Sequence, residues 1–177
     1  MKSCCFTGHR TITEDQLESV ENAIFAEINS AIESGYQHFI CGYAEGSDLI
    51  FARCVARAIE KDSTIHLHAA LPNRARERAL RKNPETRELL DLCDDIFVAA
   101  EGSHPGMYAQ RNTYMVEYSQ MVIALYDGRA KGGTAFTVQL AQKQKRDVYV
   151  IPYPTSLQFP PNGCPGWSIH DPAQHQP

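Results

Sequence analysis

MVIALYDGRAKGGT, residues 121–134, opens with six apolar residues in a row. A strand with one wet face alternates apolar and polar side chains, whereas a strand covered on both faces does not. Met121–Tyr126 is therefore expected to be a strand buried between two layers of helix. The loop that follows ends in Gly132-Gly133-Thr134, which opens a helix running to about Lys145. A further apolar strand occupies residues 148–151. Strand, helix and strand in that order make a parallel crossover, because antiparallel neighbours need only a hairpin.

The same alternation extends back through the chain. Residues 3–7 read as a short buried strand. Thr13-Glu14-Asp15-Gln16 has the form of a capping box. Leu17, Val20, Ile24, Ile28 and Ala31 then recur at helical spacing up to Gly35, a C-terminal cap. Residues 38–41 and 64–71 are strands flanking a helix opened by Ser47-Asp48. Residues 73–92 are highly charged and helical in pieces, broken near Asn83-Pro84. Residues 95–99 form a strand, 102–106 a loop and 109–118 a helix. This pattern predicts an α/β fold, a Rossmann-like three-layer sandwich with a mostly parallel sheet of about six strands and helices on both faces. The domain spans 1–151. Residues 152–177, with Pro152, Pro154, Pro160, Pro161 and Pro165, form a proline-rich C-terminal tail poorly suited to regular structure.

The chain has 177 residues and a net charge of −4. No broad basic field is available to grip a nucleic-acid backbone, so a nucleic-acid partner is disfavoured. No apolar run approaches the roughly 20 residues that span a bilayer, and the N-terminus lacks the pattern of a signal peptide, so no membrane partner is expected. Six cysteines stand mostly in apolar surroundings and form no C-x-x-C pair. They read as reduced structural residues of a cytoplasmic protein, and no metal set is spaced for binding.

In open parallel sheets, ligands bind beyond the carboxyl ends of the strands. Those ends carry Gly8, His9 and Arg10; Gly42, Gly46, Ser47 and Asp48; Arg111 and Asn112; and Gly132, Gly133 and Thr134. Glycines admit close backbone approach, helix starts offer free amides, and Arg adds charge-assisted hydrogen bonds. Together these residues suit a phosphate-bearing small molecule. Each also has a plain reading. Gly8 could simply turn the chain, Ser47 and Asp48 could cap a helix, and Arg111 alone would be a solvated charge. His66 and His68 share a strand face without a third ligand placed by spacing and read as a packed or partner-facing pair. The stretch Arg74, Arg76, Arg78, Arg81, Lys82 and Arg87, mixed with acids, reads as a solvated helix surface. Tyr43 or Tyr108 could stack on a ring.

Cys5-Phe6-Thr7-Gly8-His9-Arg10, Gly42 through Asp48, Arg111 through Ser119, and Tyr126 through Thr134 together resemble the YpsA-like family of the SLOG superfamily. Its relatives are the LOG "lysine decarboxylase-like" and DprA proteins. The resemblance implies a Rossmann-like fold and a nucleotide or nucleotide-derivative site, serving sensing or signalling, in a homo-oligomer. No cofactor is implied beyond that ligand. The LOG branch implies an alternative, hydrolysis of the N-glycosidic bond of a nucleoside monophosphate, with Arg111 holding phosphate. Its motifs resemble R-K-x-x-M and P-G-G-x-G-T-x-x-E. Arg111 and Met115 match the first, and Gly132 and Gly133 the glycine pair of the second. Lys131 replaces the proline, Ala135-Phe136 replaces Gly-Thr, and Val138 and Gln139 fall where acidic residues belong. A carboxylate for that chemistry would have to come from Glu45, Asp48, Glu101 or Asp127. A DprA-like nucleic-acid module is a third reading.

Overall fold

A computed structural model describes residues 1–153. Six strands, β1 (Lys2–Thr7), β2 (Tyr36–Cys41), β3 (His66–Leu71), β4 (Asp95–Val98), β5 (Met121–Tyr126) and β6 (Asp147–Pro152), alternate with six helices. The helices are α1 (Leu17–Glu33), α2 (Ser47–Lys61), α3 (Arg74–Lys82), α4 (Pro84–Asp91), α5 (Met107–Glu117) and α6 (Gly133–Lys143). All strand pairs are parallel, in the order β4-β3-β2-β1-β5-β6. The fold is the expected Rossmann-like sandwich.

The apolar run in β5 divides by period two. Met121, Ile123 and Leu125 join one core with Cys4, Phe6, Ile24, Ile28 and Phe51, while Val122, Ala124 and Tyr126 join a second with Cys5, Met115, Val138 and Ala141. Residues from α1 and α2 pack into the first core, and residues from α5 and α6 into the second. A strand between two helical layers has no wet face, hence no polar alternation.

Several boundaries differ from expectation. Thr13 makes no side-chain bond to a helix amide; its hydroxyl donates to Gln16 Oε1 at 2.6 Å, and a 3-10 turn over Glu14–Gln16 precedes α1. The side chains of Thr13 and Gln16 bond each other, so neither reaches back to a backbone donor. β3 begins at His66, because Asp62 accepts from both the amide and hydroxyl of Thr64 and closes a local turn. β6 extends to Pro152, paired with Tyr126. Proline is tolerated there because β6 is an edge strand. The proline-rich segment beyond Tyr153 lies outside the described residues.

β1 leads to α1 and β2 on one side, and β5 leads to α6 and β6 on the other. The chain reverses its winding between β1 and β5. The loops leaving these two strands diverge and open a crevice at the carboxyl edge of the sheet.

Candidate functional site

A cleft of about 410 Å³ occupies that crevice. Gly8, His9, Arg10, Asp48, Arg111, Asn112, Gly132, Gly133 and Thr134 line it, together with Thr7, Ala44, Met115, Arg129, Lys131 and Tyr153. A smaller cavity of about 140 Å³ adjoins it and shares Arg10, Ala44 and Arg111; its other walls are Gly42, Tyr43, Glu45, Pro72, Arg76 and Tyr108. Gly46 and Ser47 stand behind the rim. Ser47 donates its amide (3.1 Å) and its hydroxyl (2.8 Å) to the His9 carbonyl. Gly46 has φ +77°, and a Cβ there would lie 2.8 Å from the His9 carbonyl oxygen and closer still to that of Arg10. The β1 loop and the start of α2 are thus joined backbone to backbone. Thr134 joins the third loop by donating to the Gly8 carbonyl at 3.0 Å, and Asn112 Nδ2 reaches the Gly133 carbonyl at 3.4 Å.

At the base of the cleft lies Arg111, 6% exposed, beside Asp48, 5% exposed. Arg111 Nη1 is 3.7 Å from Asp48 Oδ2, an ion-pair distance too long for a hydrogen bond. Nη1 otherwise reaches only the Met115 sulfur at 3.9 Å, and Nε has no hydrogen-bond partner among the described residues. Asp48 Oδ2 accepts from the Ala44 amide at 3.1 Å. Burial raises the Asp48 carboxyl above the ordinary carboxylate range despite Arg111, and burial lowers the Arg111 guanidinium despite Asp48. Both charges are therefore under-solvated, and the guanidinium carries donors without acceptors. Gly42 makes room for it: a Cβ at that position would lie 2.8 Å from both Arg111 Cζ and Asp48 Oδ2.

The opposite wall is the amino end of α6. Gly132 is its N-cap, no side chain caps it, and the first-turn amides of a helix have no partner within the helix. Arg129 and Lys131 stand on the loop leading to it. Arg129 is folded against Asp127, which it engages through Nε at 2.6 Å and through Nη2. His9 Nε2 approaches Asp127 Oδ1 at 3.5 Å without hydrogen-bond alignment, and burial lowers its pKa. The site thus presents guanidinium groups, an uncapped helix start and a buried carboxylate to one space. It can neutralise an anion and bond a neighbouring hydroxyl.

Two residues, Tyr43 and Arg76, behave differently from their sequence reading. The Tyr43 ring is wholly buried, with its hydroxyl donating to the Leu89 carbonyl at 2.9 Å, so it cannot stack on a guest. Tyr108 is 45% exposed at the rim, with the Arg10 guanidinium 5.3 Å from its ring centroid. Arg76 is no solvated surface charge; its Nε and Nη2 donate to the Tyr43 carbonyl at 3.2 and 2.8 Å, aiming it into the second cavity. Tyr153 enters the cleft unannounced. Its hydroxyl bonds the Thr11 carbonyl at 3.1 Å and Gln16 at 2.5 Å, and its ring lies 5.2 Å from that of His9. The sequence reading places it in the proline-rich tail, and its partners Thr11 and Gln16 lie far away along the chain.

His66 and His68 pack, as expected, at the far edge of the sheet. His38 stacks on His66 and meets His68 at 2.9 Å, while His66 meets Asp94 at 2.8 Å. No group of three or more His, Cys, Asp or Glu among the described residues is placed to hold a metal ion. Among the same residues, no helix is long and apolar enough to cross a membrane.

An all-parallel, doubly wound sheet with its crevice at the winding reversal defines a Rossmann-like α/β protein. The chain belongs to the YpsA family, described as the YspA SLOG family, whose model matches residues 5–156. It is 28% identical over 119 residues to the uncharacterized SPbeta prophage-derived protein YoqJ of Bacillus subtilis (strain 168), covering 59% of this chain and 69% of that one. It resembles DNA processing protein A (DprA) of Streptococcus pneumoniae, with a TM-score of 0.59 at 17% identity over 85% of this chain and half of that one. The DprA of Helicobacter pylori, a structure describing single-stranded DNA binding, gives 0.59 at 17% over 88% and 67%. The molybdenum cofactor carrier protein of Chlamydomonas reinhardtii gives 0.51 at 20% over 84% and 75%. These likenesses establish the shared fold.

Proposed function

We propose that the cleft binds a nucleotide or nucleotide-derived small molecule, for sensing or signalling. A phosphate would sit at the amino end of α6, held by Gly132, Gly133 and Thr134 and neutralised by Arg111, with Asp48 taking a sugar hydroxyl. The observation that carries this reading is Arg111: a buried guanidinium, short of acceptors, lining the same cleft as an uncapped helix start. The buried guanidinium, only loosely paired with Asp48 and with its Nε unpartnered, costs free energy that an anionic guest recovers. Calorimetry with a panel of nucleotides tests it. Gly133 has only Asn112 Nδ2 near its Cβ direction, at 3.9 Å, so Gly133→Asp should fold normally yet lose binding through charge repulsion. Unchanged affinity in that variant removes the site.

A second reading, cleavage of an N-glycosidic bond, is favoured by one observation: Asp48 places a buried carboxylate in the cleft wall. The positions that match the acidic LOG residues supply none, since Val138 is in the core and Gln139 is exposed. Glu45 and Glu101 are also exposed. Chromatographic release of free base from a nucleoside monophosphate, abolished by Asp48→Asn, would make the protein an enzyme. A nucleic-acid role has the DprA fold in its favour and the net charge of −4 against it. Self-association would involve the exposed Tyr118 and Phe136 on the α5–α6 layer. Burial of Cys4, Cys5, Cys41 and Cys54 as free thiols suits a cytoplasmic setting.

A further inference from the structure

Two cavities meet at Arg111 and Arg10, and the smaller one has no role in holding a single phosphate at α6. Its charged lining is three guanidinium groups, Arg10, Arg76 and Arg111, against the carboxylate of Glu45, which is 78% exposed. Arg76 is fixed there: two of its nitrogens are tied to the Tyr43 carbonyl, and Nη1 meets Glu45 at only 3.8 Å. Arg10 is held over the Tyr108 ring. Arg111 has a buried Nε without a partner. Three guanidinium groups meet here against two carboxylates, the exposed Glu45 and Asp48, and Asp48 is already engaged by Arg111 and the Ala44 amide, so one positive charge has no counter-charge of its own. A single phosphate at the start of α6 would leave Arg76 with only the exposed Glu45, at 3.8 Å, as counter-charge.

We infer that the guest of this cleft carries a second anionic group, received in the side cavity by Arg76, Arg10 and Arg111, so that the ligand class is a nucleoside diphosphate or a derivative of one rather than a monophosphate. This rests on the nucleotide reading of the main cleft. Arg111, at the junction, bonds both groups. Arg76 touches only the second.

The experiment is calorimetry of the wild-type chain and Arg76→Gln with the four ribonucleoside 5′-monophosphates, the corresponding 5′-diphosphates and a 5′-phosphorylated dinucleotide. Glutamine keeps a donor for the Tyr43 carbonyl and removes the charge. The wild type should bind the preferred diphosphate about tenfold or more tightly than its monophosphate, the scale of one charge-assisted hydrogen bond. Arg76→Gln should erase that preference and leave monophosphate affinity unchanged. If Arg76→Gln fails to fold by thermal unfolding, Arg10→Gln must lower the same preference. Equal affinity for mono- and diphosphates, or an equal loss of both in the variant, overturns the inference while leaving the main cleft intact. Tightest binding by the dinucleotide overturns it in favour of a strand phosphate. No binding of any nucleotide overturns it together with the reading of the cleft.

Discussion

Arg111 and Asp48 are a buried pair whose members need each other more than they stabilise the fold. Removing one partner of such a pair leaves an uncompensated charge, typically at a cost of about 3–5 kcal/mol, whereas replacing both with apolar groups is often neutral. Arg111→Met should therefore destabilise the protein by about 3 kcal/mol in urea denaturation, and Arg111→Met with Asp48→Leu should recover most of it. Neither should bind nucleotide. Recovery of ligand affinity in the double variant would show that the guanidinium serves only the fold. Gly42→Ala tests the same pocket from behind. Its methyl group would displace the guanidinium, and we expect ligand affinity to drop at least as far as in Arg111→Lys, with a stability loss of about 1–3 kcal/mol.

At the scale of elements, three loops are tied into one rim. Ser47 holds the His9 carbonyl, and Thr134 holds the Gly8 carbonyl. Thr134→Val keeps the shape and removes the donor, which should cost about 1 kcal/mol in stability. Faster amide exchange should follow at residues 8–10, while α1 keeps its protection. Unchanged exchange there would mean that the rim is held by backbone contacts alone. These ties also explain what the amino acids revealed in advance. The run Met121–Tyr126 and the glycine pair before Thr134 are local signals, so β5 and the start of α6 stood where expected. The roles of Gly42 and Gly46 were not legible as they are. Both look like openings for a ligand, but they accommodate a distant arginine side chain and the Arg10 carbonyl. Tyr43, Arg76 and Tyr153 were illegible for the same reason: their partners are remote in sequence and met only when the sheet assembles.

For the molecule as a whole, acid is the expected weakness. Burial lowers the pKa of His9, His38 and His68 below 6.5. The unfolded chain then binds more protons than the native one as pH falls through and below 6.5, so stability falls with it and is fully present above that range. Denaturant midpoints measured between pH 7.5 and 5 should decline, and His68→Gln should flatten the slope by removing one of the three groups. A midpoint independent of pH in the wild type would contradict the burial described for these rings.

The sheet order has a bearing on biogenesis. Cys4 of β1 lies against Phe39 of β2 on one side and Met121 of β5 on the other. A ribosome therefore releases the central strand first and one of its two neighbours far later. Throughout that interval the nascent polypeptide exposes the apolar flank of β1 to whatever else is in reach, and the loop bearing His9 and Arg10 has no opposing wall. Translation arrested before β5 should yield a chaperone-dependent, aggregation-prone fragment, with no ligand able to rescue it.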